Sequence, residues 1–361
     1  MANLYSASRE WANRPADQRF ETLDALYAAV HDRRLRSRSS DIPLDTIEAK
    51  VSPSGQDITF SHGLKAVSPT HWSFGQMASW IKAPAEYLRR LPAPLAVENI
   101  NHGIKTAPHD ALKFMTVVDP LGNGNNRLQA VTSVKYGRIF DADVAQCAKD
   151  IQVRTGGKFF NPKAYNPKTG GISPSGLYAS DRDIFIFMID GGSLLDCGPR
   201  AQLNRGFFMW NSETGARTFG LTTFLFNVVC GNHIVWGAQD VKELRIRHTG
   251  NGPYRFASDA APALLAYSNA SAAPLISSVK KAQDFLLPVG REEVIAWLQD
   301  RKFTKSEAAE SYDTAMKEEG DCRTLWQAIQ GITAYARGFD FVDSRTDLES
   351  RAGKLMKIVE V

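Results

Sequence analysis

Apolar positions along this chain change their period twice. Phe20, Leu23, Leu26, Tyr27 and Val30 recur at three-to-four spacing, which places them on one face of a helix beginning near Pro15. That helix runs out into Arg33, Arg34, Arg36 and Arg38. Cations there either complement the negative end of the helix dipole or, in a second reading, contact phosphate. Short strands are predicted at 47–51 and 58–60, with Pro53, Ser54 and Gly55 as the turn between them. Ser68 and Thr70 are candidate caps for a helix through Trp72, Met77, Trp80 and Ile81. Pro84 and Pro92 bracket a second short helix with Tyr87 and Leu88, and a third runs from Pro94 to about Ile104.

From Lys113 the period shortens to that of strands. Runs at 114–118 and 128–135 flank Gly122, Asn123, Gly124 and Asn125, a hairpin signal. Asp141 is the expected cap of a helix carrying Val144, Cys147, Ala148 and Ile151. Further strands are predicted at 184–189, 206–210 and 218–221, then in a mainly apolar run at 224–230, a turn at Gly231 and Asn232, and 233–236. At 243–248 strict alternation sets Leu244 and Ile246 against Glu243, Arg245 and Arg247. From Ala257 the period lengthens again: an Ala-rich helix to about Phe285, then helices at 291–298, 324–336 and 344–357. The expected fold is α+β rather than a doubly wound parallel sheet. Its parts are a mainly helical region with a short hairpin at 1–110, an antiparallel β-rich core at 111–256 and a helical region at 257–361, integrated into one domain.

Composition narrows the class without naming a function. With 361 residues, 43% apolar and 23% charged, the chain is globular and long enough to bury a core without disulfide or metal staples. A net charge of +4 is too small over this length to identify a polyanionic partner, so local clustering matters more. Cys147, Cys197, Cys230 and Cys322 lack metal-ligand or redox spacing and read as buried, reduced thiols. Neither a signal peptide nor a membrane-length apolar run is present, and a cytoplasmic location is expected.

The chain contains no P-loop, dinucleotide fingerprint, nucleophile elbow or paired histidines at helical spacing. No catalytic residue, cofactor or metal is therefore assigned. His71 and His233 read as capping or packed residues. Asp181, Asp183 and Asp190 lie near one strand, where carboxylates can hold a nuclease cation, but Asp190-Gly191-Gly192 reads better as a turn.

The stretch 151–180 differs in kind. It holds Arg154, Lys158, Lys163 and Lys168 without a single acid, interleaved with Phe159, Phe160 and Tyr165, and its four glycines suggest a long flexible connection. Cations beside exposed aromatic rings suit single-stranded nucleic acid, where lysine and arginine meet phosphates and rings stack on bases. The bland reading is that the rings pin the loop to the core while the lysines keep it soluble. A second cationic set, Lys242, Arg245 and Arg247 with His248, either lines a groove or guards an edge strand.

Several segments together carry a resemblance. They are Leu4-Tyr5, Arg9-Glu10-Trp11-Ala12-Asn13-Arg14-Pro15, Thr70-His71-Trp72-Ser73-Phe74-Gly75, Ala83-Pro84-Ala85-Glu86-Tyr87, Asn99-Ile100-Asn101-His102-Gly103, Arg205-Gly206-Phe207-Phe208-Met209-Trp210-Asn211-Ser212-Glu213, Phe224-Leu225 and Cys230-Gly231-Asn232. The chain resembles the phage and plasmid-type domain of unknown function 932 family over nearly its whole length. The resemblance implies a mobile-element setting and carries over no catalytic residue. The leading expectation is an accessory protein that binds single-stranded DNA and promotes annealing or recombination, acting as a homo-oligomer. The alternatives are a protein-binding inhibitor of a host defence or regulatory system and, more weakly, a metal-dependent nuclease.

Overall fold

Thr22, rather than Pro15, starts the first long helix: its side chain accepts from the Ala25 amide and opens α1 (Leu23–Arg36). In a computed structural model the described residues are 15–359 without Leu64, His109, 120–125, Pro162, 167–170, Ser175, Ser193, 199–200, 228–232, 235–243, Arg337 and 340–341. The expected turn at Gly122 to Asn125, the turn at Gly231 and Asn232, and Cys230 lie outside the described residues. The other three cysteines are buried free thiols.

The fold is α+β and built on two sheets. The first comprises β1 (Ser37–Pro43), β2 (Ile47–Val51), β3 (Ile58–His62), β4 (Lys65–Pro69), β5 (Ala111–Val117) and β6 (Arg127–Ser133), in the order β1-β5-β6-β4-β3-β2. Every pairing is antiparallel except β4 with β6. Four of these strands precede position 110 and two follow it, so the β-structure reaches well into the region read as mainly helical. Helices α2 (His71–Trp80), α3 (Ala85–Arg90) and α4 (Ala93–Thr106) cover the sheet around Phe60, Met77, Ile100, Leu112 and Leu128. Thr70 caps α2 in a reciprocal box with Ser73, whose hydroxyl also reaches the Leu128 carbonyl of β6.

The second sheet begins with β7 (Phe159–Phe160), β10 (Leu177–Ala179) and β11 (Ile184–Asp190). It continues through β12 (Leu195–Asp196), β13 (Gln202–Asn211), β14 (Phe219–Asn227), β15 (His233–Ile234) and β16 (Leu244–Ile246). Its spine runs β10-β11-β13-β14-β15, with β7 on β11 and β16 on β14, while β8 (Lys163–Asn166) and β9 (Gly171–Pro174) pair only with each other. One face packs on α1, α5 (Asp141–Arg154) and α6 (Ala261–Asn269) through Leu26, Val144, Phe159, Met188, Phe207 and Leu221. The other face is a ladder of stacked rings: Tyr178 on Phe185, Phe185 on Phe208, Phe187 on Phe224 and Phe208 on Trp210, centroids 4.8–5.7 Å apart. Two glycines make room for it. A Cβ at Gly206 would sit 2.3 Å from the Phe224 ring, and one at Gly220 would sit 2.0 Å from that of Trp210.

The C-terminal third is helical but not in the predicted pieces. The Ala-rich helix breaks after α6 at an extended Ala270 and resumes as α7 (Ala273–Asp284). After α8 (Arg291–Gln299) comes α9 (Lys305–Glu318), which the periodicity does not reveal because its buried face is small: Ala308, Ser311 and Ala315. The missed signal is Thr304-Lys305-Ser306-Glu307, a capping box. With α10 (Leu325–Ala336) and α11 (Val342–Leu355) these helices form a core that also takes in Leu195, Leu203 and Leu225 of the second sheet. Among the described residues no helix is long and apolar enough to cross a membrane.

Candidate nucleic-acid interface

The first half of the connection between β13 and β14 lies in the interior, where unpaired backbone and side-chain polar groups are costly. Asn211, Ser212, Glu213 and Thr214 are all buried, and their partners come from both sheets. From the first sheet's side, the Trp72 indole and the Gln76 amide both donate to the Thr214 carbonyl, at 3.0 and 2.8 Å. The Tyr136 hydroxyl donates to the Ser212 carbonyl at 3.0 Å. From the second, the Ser212 hydroxyl donates to the Arg182 carbonyl at 2.6 Å.

Charge in this turn is matched by residues 70 to 180 positions away in the sequence. Arg33 of α1 reaches Asp141 at 2.6 Å and Glu213 at 3.3 Å, Arg138 reaches Glu213 at 3.2 Å, and Asn211 donates to Asp141 at 2.8 Å. Asp141 is therefore not the helix cap, a position held by Phe140, but the first helical residue and part of this network. The arginine run of α1 is likewise largely committed: Arg33 here, Arg34 to Asp143, and Arg36 to Asp32 at 2.6 Å. Neither the dipole reading nor the phosphate reading covers Arg33.

Burial and the neighbouring Glu213 carboxylate push the Asp141 carboxyl up to about 8. Burial acts the same way on Glu213, yet Arg33 and Arg138 together hold it below the ordinary carboxylate range. Glu213 keeps its charge because it has two guanidiniums, whereas Asp141 shares one. Burial also lowers His248, stacked on Tyr136 at 5.0 Å, to about 4.

A stability profile follows from these directions. Between about pH 4 and 6.5 the folded Asp141 holds a proton that the unfolded chain releases, while the folded His248 lacks one that the unfolded chain binds, so their slopes cancel. Above pH 6.5 only the Asp141 contribution remains. Stability should therefore fall by about 2 kcal/mol from pH 6.5 to 8. Urea melts across that range read it, and Asp141→Asn should flatten the fall; an equally steep fall in the variant contradicts the assignment.

The predicted binding residues separate into two groups. Residues 151–180 are not one long loop but the end of α5 followed by β7 to β10. Arg154 and Lys158 are exposed. Phe159 is 1% exposed, packed at 5.3 Å from Phe207 and 6.5 Å from Tyr267, so it is a core anchor and not a stacking residue. Phe160 is 40% exposed and lies over Gly191. Lys163 and Tyr165 are placed on β8 by their backbone only, and Lys168 and Lys242 lie outside the described residues. Arg245 and Arg247 are exposed at the other end of the sheet. Register shows the separation: Phe160 pairs with Ile189, whereas Arg245 pairs with Gly220, which pairs with Trp210, which pairs with Phe185. Strand rise puts roughly 13 Å between these levels.

The same register gathers residues that the sequence reading did not select. Arg182 and Arg217 sit in the turns at the Arg245 end. The Arg182 guanidinium lies 4.7 Å from the Trp72 ring and that of Arg245 lies 5.6 Å from the Trp210 ring, both tryptophans being partly exposed. Asp183 closes its own turn by accepting from the Ser180 hydroxyl at 2.8 Å, and Asp181 faces Arg127 at 3.7 Å. Asp190 is buried against Arg205 at 3.0 Å and accepts the Gly192 amide, as a turn residue does. Among the described residues no cluster of three or more His, Cys, Asp or Glu is placed to hold a metal.

Residues 173–351 match the family model of a domain of unknown function, DUF932. The match to DUF932 covers just under half of the chain, its second half. No match was found among curated proteins or solved structures. The DUF932 segment opens at β9 and closes within α11, so it contains Arg182, Trp210, Glu213, Arg217 and Arg245. Arg33, Trp72, Gln76, Arg138 and Asp141 precede it. The buried turn is thus where the DUF932 segment is joined to the preceding sheet, and the Arg182–Trp72 pair spans that seam.

Proposed function

We propose that this protein binds single-stranded nucleic acid along the seam between its sheets, as a mobile-element accessory to strand annealing. What supports this reading is the pairing of Arg182 with Trp72 and Arg245 with Trp210 toward the same end of the second sheet. Each pair offers a guanidinium for a phosphate and a π-face for a base, and a single strand needs both at successive nucleotides. Arg247 adds charge at the same end, where Arg217 faces the Asp183 carboxylate at 3.9 Å. The buried turn beneath holds the first pair together, because Trp72 and Arg182 are both bonded to residues 212–214.

Fluorescence anisotropy with labelled single-stranded oligonucleotides over a salt series tests it. Affinity should fall steeply with salt, and the Arg182→Ala, Arg245→Ala double variant should bind about 10- to 100-fold more weakly with a slope shallower by about 1.4. The Arg154→Ala, Lys158→Ala pair at the far end of the sheet should change little. The reverse ranking moves the site to that end; no binding at low salt removes the nucleic-acid reading and leaves a protein target as the alternative.

A further inference from the structure

Beside the seam, α1, β6 and the β10–β11 turn enclose a half-open cleft of about 480 Å³. Its walls include Phe20, Val30 and Val117, its rim carries Arg36, Arg127 and Asp181, and Gln129 of β6 lies at its lining. Gln129 is 2% exposed, its Nε2 donates to the Asp181 carbonyl at 3.4 Å, and its Oε1 is buried with no hydrogen-bond partner. A buried amide oxygen without a donor is costly, and here it borders a cleft of ligand size. The neighbour of Asp181 in the chain is Arg182, which stacks on Trp72, so the cleft opens beside the proposed strand path.

We infer that this cleft receives one unstacked base of the bound strand, with a preference for bases that carry an amino group. This rests on the single-strand reading and deepens it. The apolar walls accept the faces of a heterocycle. Gln129 Oε1 and the Asp181 carboxylate are both acceptors, so they favour a base edge with two N–H bonds, which adenine, cytosine and guanine present and thymine does not. Arg127, its side chain 63% exposed, stands where the flanking phosphate would pass. The Asp181 carboxylate that faces Arg127 and the Asp181 carbonyl that accepts from Gln129 belong to one turn, so the turn that carries the strand contact also shapes the base edge.

The test compares dA, dC and dT homopolymers by anisotropy at one salt concentration, with wild type and with Gln129→Met, which keeps the side-chain shape without the acceptor. Wild type should prefer dA and dC to dT by roughly 5- to 10-fold. Gln129→Met should lose that preference while keeping the salt slope. A second measurement is independent of the variant's folding: a photoreactive adenine in the oligonucleotide should crosslink wild type within 127–129 or 177–181. Equal binding of all three homopolymers, an unchanged preference in Gln129→Met, or crosslinks confined to other segments overturns the inference. Binding without base preference leaves the seam reading standing, whereas no binding to any homopolymer removes both.

Discussion

Glu213→Ala should cost about 3–5 kcal/mol of stability, enough to threaten a fold whose total is of order 5–15 kcal/mol. The magnitude comes from what is left behind. Removing the carboxylate strands Arg33 and Arg138, both largely buried, beside a single carboxyl that is already shared with Asn211. The Asp141 amide also loses the oxygen it donates to at 3.3 Å. Urea denaturation gives the loss directly. Two further variants separate broken pairing from lost volume. Glu213→Gln keeps the shape and should still be strongly destabilising. Combining Glu213→Gln with Arg138→Met should recover part of the loss, since it removes a stranded charge. A Glu213→Gln protein as stable as wild type would show that the carboxylate charge is unimportant.

The pH profile and this variant read the same network from two sides. If Asp141 carries the proton at neutral pH, removing Glu213 removes one of the causes of its elevated value and leaves Arg33 nearer to Asp141 alone. The fall in stability above pH 6.5 should then shrink in Glu213→Gln along with the total stability. The network thus behaves as a unit whose members cannot be valued one at a time.

Local pattern foretold local structure well in this chain. Thr70 before an apolar helix, alternation at Leu244-Arg245-Ile246, and proline brackets around α3 each encode their element within a few residues, and each is where the sequence placed it. The parallel pairing of β4 with β6 and the partnership of Arg33 with Glu213 have no such local signature, because they join segments far apart in the chain. Composition was a poor guide to exposure for a related reason. Phe159 and Phe160 are adjacent and identical, but strand alternation sends one into the core and the other outward. Reading 159–160 as strand would have separated them; reading the stretch as loop could not. Arg182, next to Asp181 in a turn, gave no signal at all, since its value lies in a tryptophan more than a hundred residues away.

Arg205→Met should be comparably damaging, at about 3–5 kcal/mol, for a reason that differs in kind. Arg205 projects from β13 into the interior, where its guanidinium pairs with Asp190 at 3.0 Å and donates to the Ala270 and Tyr267 carbonyls at 2.7 and 3.3 Å. Those carbonyls lie at the C-terminal end of α6 and the extended residue after it, where the Tyr267 carbonyl also accepts the Ala270 amide at 3.3 Å and the dipole is negative. One side chain therefore neutralises a buried carboxylate and caps a helix at once. A methionine fills the volume and does neither. Arg205→Lys should recover only part, because a single ammonium cannot span both the carboxylate and the helix end as the planar fork does. The expected order of stability is wild type, Arg205→Lys, Arg205→Met, measured by urea denaturation. A second observable is amide hydrogen exchange in α6, which should accelerate in both variants, and more in Arg205→Met. Lysine performing as well as arginine would mean that the charge alone matters and that the helix end is satisfied in another way. Since Gly206, the next residue, gives up its carbonyl to the Tyr267 hydroxyl at 3.1 Å, loosening α6 also releases a second bond into β13. That places Arg205 at the joint between α6 and the second sheet, which is why this buried arginine serves the fold instead of the surface.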